Sequence, residues 1–334
     1  MSTENEDNRI IQSRFSPAAW LTNRHAQTIY PSLPWATGKR PFLRRESLEL
    51  PDGDTTAVDW MKTACRPPAS APLLVILHGL EGSAESSYAR LLMQEAGERG
   101  WLSCVLNSRD CGDYRNRLPR RYHAGETTDI RYFLKTLPSH GYDGPVVAVG
   151  FSLGGNVLLK YLGESGHESP LMAAVAVSVP LDLQLSSDAL NTGFSKLYQR
   201  YLLRNMKNSV IRKFDQYTAA FNWSNAMNAR TFAEFDDAVT APLHGFAGKD
   251  DYYDRCSSGR FLKDIRKPTL IINSLDDPFM TPGAIPEPDK LSQSVSLELS
   301  DSGGHVGFVD GGTPWRPSYY LPQRTLGFLA PFTA

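Results

Sequence analysis

Hydrophobic and polar positions change their period twice along the chain. Glu46–Leu50 and Thr55–Met61 alternate polar and apolar side chains on either side of Pro51-Asp52-Gly53-Asp54, the pattern of a β-hairpin around an acidic turn. Beyond Pro67-Pro68 the alternation gives way to short apolar runs at Leu73–Leu77, Leu102–Leu106, Val146–Val149, Ala173–Val179 and Thr269–Ile272. Rich in Val, Ile and Leu and bounded by Gly, Pro or Asn, these runs suit parallel strands covered on both faces. Stretches near Ser86–Arg99, Glu126–Leu137 and Leu153–Leu162 predict helices between them. A hairpin followed by repeated strand–helix units predicts an α/β fold with a mostly parallel central sheet flanked by helices.

Two segments break this rhythm. Residues 1–45 carry Pro17, Pro31, Pro34 and Pro41, which interrupt helices, and read as an irregular arm laid over the body. From about Leu181 to Thr240 the strand signal vanishes. There Leu190, Phe194, Leu197, Tyr198, Tyr201 and Leu202 recur at the spacing of one helical face. A helical insert between two strands of such a core is expected to form a cap over the sheet's edge. The expected organisation is an arm (1–45), a first part of the core (46–180), a helical cap (181–240) and a second part of the core (241–334).

Composition narrows the class. Among 334 residues, 41% are hydrophobic and 21% charged, which suits a folded globule and excludes a disordered chain. The formal net charge of −1 leaves no global basic footprint for nucleic acid. The N-terminus is polar and acidic rather than a secretory leader, and the longest apolar stretches are far shorter than the ~20 residues of a membrane span. Cys65, Cys104, Cys111 and Cys256 form no CxxC pair and read as reduced thiols of a cytoplasmic protein.

The strongest chemical signal is Gly150-Phe151-Ser152-Leu153-Gly154, placed between an apolar run and a helical pattern. A serine in a sharp strand-to-helix turn is held in strained geometry that projects its Oγ clear of the sheet. The glycines on either side let neighbouring elements approach. Ser152 is therefore the candidate nucleophile, and the amide of Leu153 a candidate oxyanion donor. A second donor is expected from the turn after an earlier strand, where His78-Gly79-Leu80-Glu81-Gly82 makes Leu80 the best-placed residue. His78 is expected to brace that loop rather than act as a base.

The candidate base is His305, in the glycine-flanked segment Asp301-Ser-Gly-Gly304-His305-Val-Gly-Phe308. Its carboxylate partner should follow the preceding strand, where Asp276 and Asp277 stand side by side; the position beyond the strand's end favours Asp277. Asp276 would then form the turn or cap a helix. The order Ser152, Asp277, His305 is the chain order of the α/β-hydrolase fold. Asp250, Asp251 and Asp254 match no cation loop and are expected at a helix N-terminus. The remaining histidines (His25, His123, His140, His167, His244) form no zinc-binding pair, so neither a metal nor a cofactor is expected. Between Ser195 and Lys213, six basic residues (Lys196, Arg200, Arg204, Lys207, Arg212, Lys213) occur without an acidic one. This stretch is either a solvated helix face or a contact for anionic lipid or an anionic acyl carrier.

Several segments together resemble the YheT-like branch of the α/β-hydrolases, which also holds eukaryotic lipid hydrolases and yeast medium-chain ethyl-ester synthase/esterases. They are Asn23-Arg-His25-Ala-Gln27-Thr28, His78-Gly-Leu-Glu-Gly-Ser83, Asn107-Ser-Arg109-Asp-Cys111-Gly112, His123-Ala-Gly125 and Gly150-Phe-Ser-Leu-Gly-Gly-Asn156. Further on come Phe235-Asp-Asp237, Asp251-Tyr-Tyr253, Asp276-Asp-Pro-Phe279 and Gly303-Gly-His-Val-Gly-Phe308. The resemblance implies a Ser152–Asp277–His305 triad and carboxylic-ester hydrolysis, or acyl transfer to an alcohol. Eukaryotic relatives carry an N-terminal membrane anchor that is not seen here, which favours a soluble esterase of small-molecule esters. A catalytically idle binding protein on the same fold is the alternative from another class. Oligomeric state is not legible.

Overall fold

A computed structural model of the chain describes residues 9–38, 40–62 and 68–333; Cys65 and Pro67 lie outside them. Within these residues nine strands share one sheet: β1 (Ile10–Gln12), β2 (Leu43–Glu49), β3 (Thr55–Met61), β4 (Leu73–Leu77), β5 (Leu102–Leu106), β6 (Val146–Phe151), β7 (Ala173–Val177), β8 (Thr269–Ser274) and β9 (Val295–Ser300). Their order is β1-β9-β8-β7-β6-β4-β5-β3-β2. All neighbours run parallel except β3, which is antiparallel to both β2 and β5. The hairpin register pairs Glu49 with Thr55 and Leu43 with Met61, so β2 starts three residues before the alternation suggests.

The central strands are covered on both faces because their side chains alternate between two cores. Leu73, Val75 and Leu77 of β4 face a core shared with helices α3 (Thr128–Thr136) and α4 (Leu153–Ser165). Leu74 and Ile76 face the other core, built with α2 (Ser87–Glu98) and a C-terminal helix. Each such buried Leu, Ile or Val contributes ~1.5–3 kcal/mol, which is why these runs are dominated by apolar residues, with Ser103 and Thr269 as buried polar exceptions. Three free thiols, Cys104, Cys111 and Cys256, are buried among the described residues.

Between β7 and β8 the chain is helical: α5 (Leu183–Ala189), α6 (Ser195–Lys213), α7 (Trp223–Asn228), α8 (Phe232–Phe235), a π-helical turn (Asp236–Thr240), α9 (Ala241–His244) and α10 (Lys249–Cys256). The helical character continues past residue 240, the end expected from the sequence. Leu203, Met206, Val210, Ala226, Phe235 and Val239 form a small core of their own here. The periodic face expected over Leu190–Leu202 belongs to two elements. Leu190 ends α5, and Gly193 at φ +49 turns the chain before α6 begins. Asp250 and Asp251 occupy the first turn of α10, where its dipole favours them. Beyond β9, β10 (Val309–Thr313) pairs with β11 (Arg316–Tyr319), and the C-terminal helix α11 (Tyr320–Leu329) follows.

The arm is more ordered than its prolines suggest. β1 pairs with β9 at the sheet edge, and a short helix α1 (Arg24–Ile29) is capped by the Asn23 side chain. Gln27 of this helix is fully buried; its amide bonds to the backbone of Leu21 and, in both directions, to that of Val309. That tie carries the arm to the edge of the functional site.

Candidate active site

Ser152 sits between β6 and α4 at φ +51, ψ −120, a backbone conformation that costs a non-glycine residue ~1–3 kcal/mol. The surrounding glycines explain how the turn closes. A Cβ on Gly154 would lie 2.4 Å from the Leu77 carbonyl oxygen, and one on Gly150 would lie 2.5 Å from that of Gly154. The Asn156 side chain then fixes α4. It donates to the carbonyls of Ala124 and Cys256 and accepts from the Ser258 amide.

Ser152 Oγ lies 3.0 Å from Nε2 of His305, whose Nδ1 lies 2.8 Å from Oδ2 of Asp277. Asp277 is buried, and its Oδ1 accepts from the Phe279 amide at 2.8 Å. In this network Nδ1–H donates to the carboxylate, leaving Nε2 to accept the serine proton. Asp276 is not the carboxylate hydrogen-bonded to the imidazole and binds the loop backbone instead. Its Oδ1 accepts from the Gly304 amide at 2.9 Å, and burial raises its carboxyl above the usual range.

The loop bearing His305 is held by its backbone. Three consecutive amides each find a side chain from a different segment: Gly304 on Asp276, His305 on Thr28 Oγ1 (2.9 Å) and Val306 on Ser178 Oγ (3.0 Å). Gly304, Val306 and Phe308 all have positive φ, which local sequence preference alone would not maintain. Phe279 sets its ring edge-on to the imidazole at 4.0 Å. Thr28, Ser178 and Phe279 were not among the residues predicted for the site. Thr28 and Phe279 nevertheless lie in segments that carried the family resemblance.

The loop after β4 approaches Ser152 closely, since a Cβ on Gly79 would stand 3.2 Å from Ser152 Cβ. His78 is buried and braces this loop: one ring nitrogen bonds the Gly79 carbonyl and the other accepts from the Ser108 amide. Burial lowers its pKa and keeps it neutral. The amides on either side of Leu80 are taken, Gly79 by the Tyr88 hydroxyl and Glu81 by the Tyr122 hydroxyl. As the first residue of α4, Leu153 has an amide that the helix leaves without an acceptor. Glu81, at φ +53, accepts from Arg121 and Tyr122 through one oxygen and from Ser209 of α6 through the other. The Leu80 side chain packs on the helical core above, so this loop is joined to the helices between β7 and β8 by an apolar contact and a hydrogen bond.

Ser152, His305, Leu80 and Leu153 open into a cavity of about 700 Å³. Its walls are mainly apolar, with Leu197, Tyr198, Leu202, Met206, Phe232 and Val239 from the helical segment. Several groups on its lining are strongly perturbed by burial, among them Asp236, His123 and His244. Asp236, whose carboxylate accepts from the hydroxyls of Thr240 and Tyr253, is pushed up to about 6, while His123 and His244 are held down at about 3. Among the described residues no group of three or more His, Cys, Asp or Glu could hold a metal ion.

An α/β sheet of this order, with a strained serine at the strand-to-helix turn and an imidazole–carboxylate pair beside it, defines the α/β-hydrolase class. Residues 72–312 match the family described as the alpha/beta hydrolase fold. The chain is 42% identical to YheT of Escherichia coli (strain K12) over 96% of this chain and 94% of that protein. It is 31% identical to the human protein named Phospholipase ABHD3, over 93% of this chain and 77% of that one. The chain belongs to the α/β-hydrolase family, in its YheT-like branch, and is a hydrolase. Among solved structures, the Pyrococcus furiosus esterase Pf2001 overlays with a TM-score of 0.56 at 15% identity, covering 88% of this chain and 94% of that one, a likeness of fold alone.

Proposed function

We propose that the protein is a serine carboxylesterase that cleaves esters of short- to medium-chain acyl groups through an acyl-enzyme. The observation that carries this reading is the continuous Ser152–His305–Asp277 chain, with 3.0 and 2.8 Å links, opening into an apolar cavity. Ser152 Oγ attacks the acyl carbonyl while His305 Nε2 takes its proton; Asp277 holds the imidazole in the required tautomer and stabilises the imidazolium. The amides of Leu80 and Leu153 bind the tetrahedral oxyanion, and loss of one such donor costs about 10²–10³ in rate. His305 returns the proton to the leaving alcohol, and water resolves the acyl-enzyme by the same steps in reverse roles. Residues 181–240 serve as a cap whose apolar wall receives the acyl chain, and the buried free thiols support a reducing, cytoplasmic location.

The test is turnover of p-nitrophenyl esters of increasing acyl length, with Ser152→Ala as the blank and ethanol added in a parallel series. Serine-dependent hydrolysis with an optimum at short to medium length is the expected result. Ethyl-ester product in place of free acid would make the protein an acyltransferase. A folded protein without turnover at any length would overturn the proposal.

A further inference from the structure

The six basic residues of α6 do not act alike. Lys207 donates to the carbonyls of Met227 and Ala229, Lys213 bonds Asn116, and Arg212 bonds Ser209, so these three are spent on the protein itself. Lys196, Arg200 and Arg204 are exposed and make no ion pair among the described residues. Four residues apart, they form one stripe on the outer side of the helix. Leu197 and Tyr201 of α6 and Phe194 just before it stand beside that stripe, and Phe194, Leu197 and Tyr201 are 47%, 51% and 65% exposed although all three line the cavity. They therefore stand where the cavity meets solvent. Ile29 of α1, 42% exposed, lines it as well, and α1 touches this end of α6 through His25 and Phe194, whose rings are 4.4 Å apart.

We propose that this face of α6 docks on an anionic lipid surface, with Phe194, Leu197, Tyr201 and Ile29 entering the interface and Lys196, Arg200 and Arg204 meeting the lipid phosphates. Buried apolar area and electrostatic attraction to anionic lipid are the two contributions that add in the membrane binding of an amphipathic helix. Here the residues that supply them surround the opening through which an apolar substrate enters. A soluble acidic acyl carrier would answer the cations but would leave the outward apolar area of these four side chains in water, so the lipid surface is the partner of choice. Docking would let an ester pass from lipid to Ser152 without crossing water.

The experiment is co-sedimentation of the full chain with vesicles of phosphatidylcholine alone and of equal parts phosphatidylcholine and phosphatidylglycerol, at low and high salt. Binding to the anionic vesicles that weakens with salt is expected. The triple variant Lys196→Glu, Arg200→Glu, Arg204→Glu should lower partitioning roughly a hundredfold or more, from about 1 kcal/mol per cation. Its turnover of a soluble ester and its thermal unfolding should stay unchanged. Leu197→Ser with Tyr201→Ser should also weaken binding while the cations remain. No binding by the native chain at low salt, or equal binding by the charge-reversed variant, overturns the proposal. So does a salt-sensitive complex with an acyl carrier protein in the absence of vesicle binding. Ser152→Ala should sediment like the native chain, so a failure of the esterase reading and a failure of this one are read separately.

Discussion

Asp276 and Asp277 are chemically identical neighbours, and a pair of isosteric substitutions separates their roles. In Asp277→Asn, Oδ1 must still accept from the Phe279 amide at 2.8 Å, so the new amide nitrogen is forced toward His305 Nδ1. A donor at that place makes Nδ1 the acceptor and puts the ring proton on Nε2, where it meets Ser152 Oγ and can no longer accept its proton. A wrong tautomer of this kind costs about 10⁴ in kcat, or ~5.4 kcal/mol of transition-state stabilisation. In Asp276→Asn, the amide oxygen can keep the Gly304 bond, now without its charge, at a cost of ~1 kcal/mol and less than tenfold in rate. The assay is kcat and KM for a p-nitrophenyl ester in both variants, with thermal unfolding as the control for folding. Equal losses, or a larger loss in Asp276→Asn, would refute the assignment of the two carboxylates.

Three further outcomes follow from the geometry. Thr28→Val keeps the shape but removes the acceptor of the His305 amide, so kcat should fall about tenfold to a hundredfold (~1–3 kcal/mol) with little change in KM, and Thr28→Ser should restore it. Asp236, raised from 3.8 to about 6, binds its proton more tightly in the folded state; its stabilising contribution is full below pH ~4 and lost as pH rises through ~6. Asp236→Asn should therefore gain ~2 kcal/mol on the native chain between pH 4 and 7, read as the difference in urea midpoints, because His123 and His244 titrate in both proteins and cancel; a flat difference would contradict this. Gly154→Ala would drive a Cβ against the Leu77 and His78 carbonyls and should prevent folding, whereas Gly327→Ala, open on all sides within α11, should raise stability by up to ~1 kcal/mol in the same melting experiment.

The apolar runs from Leu73 to Ile272 were legible because a strand covered on both faces takes mostly apolar side chains, with buried Ser103 and Thr269 as exceptions. The hairpin was legible because one covered face imposes alternation. Boundaries shifted where a single backbone angle decides them. Apolar character continues to Val179, yet Ser178 turns to φ +51 and ends β7 at Val177, which aims its hydroxyl at the Val306 amide. β1 and α1 were hidden because their stability comes from partners nearly 300 residues away, Leu297 for Ile10 and Val309 for Gln27. No local pattern records such pairing.

For the site, the sequence by itself determined the candidates: a serine in a glycine-bounded turn, a histidine in a glycine-bounded loop, and a pair of aspartates after a strand. Each is marked by short-range requirements of backbone geometry, which leave their trace in neighbouring residues. The tertiary structure decided which aspartate meets the imidazole, because that depends on where the Phe279 and Gly304 amides point. It decided that Thr28 and Ser178 hold the His305 loop, since a hydroxyl accepts from whichever amide the fold brings within about 3 Å. It also divided the basic run of α6 between inward bonds and an outer stripe. Charge can be counted along a chain, but the direction of each side chain is set by the packing of the helix that carries it.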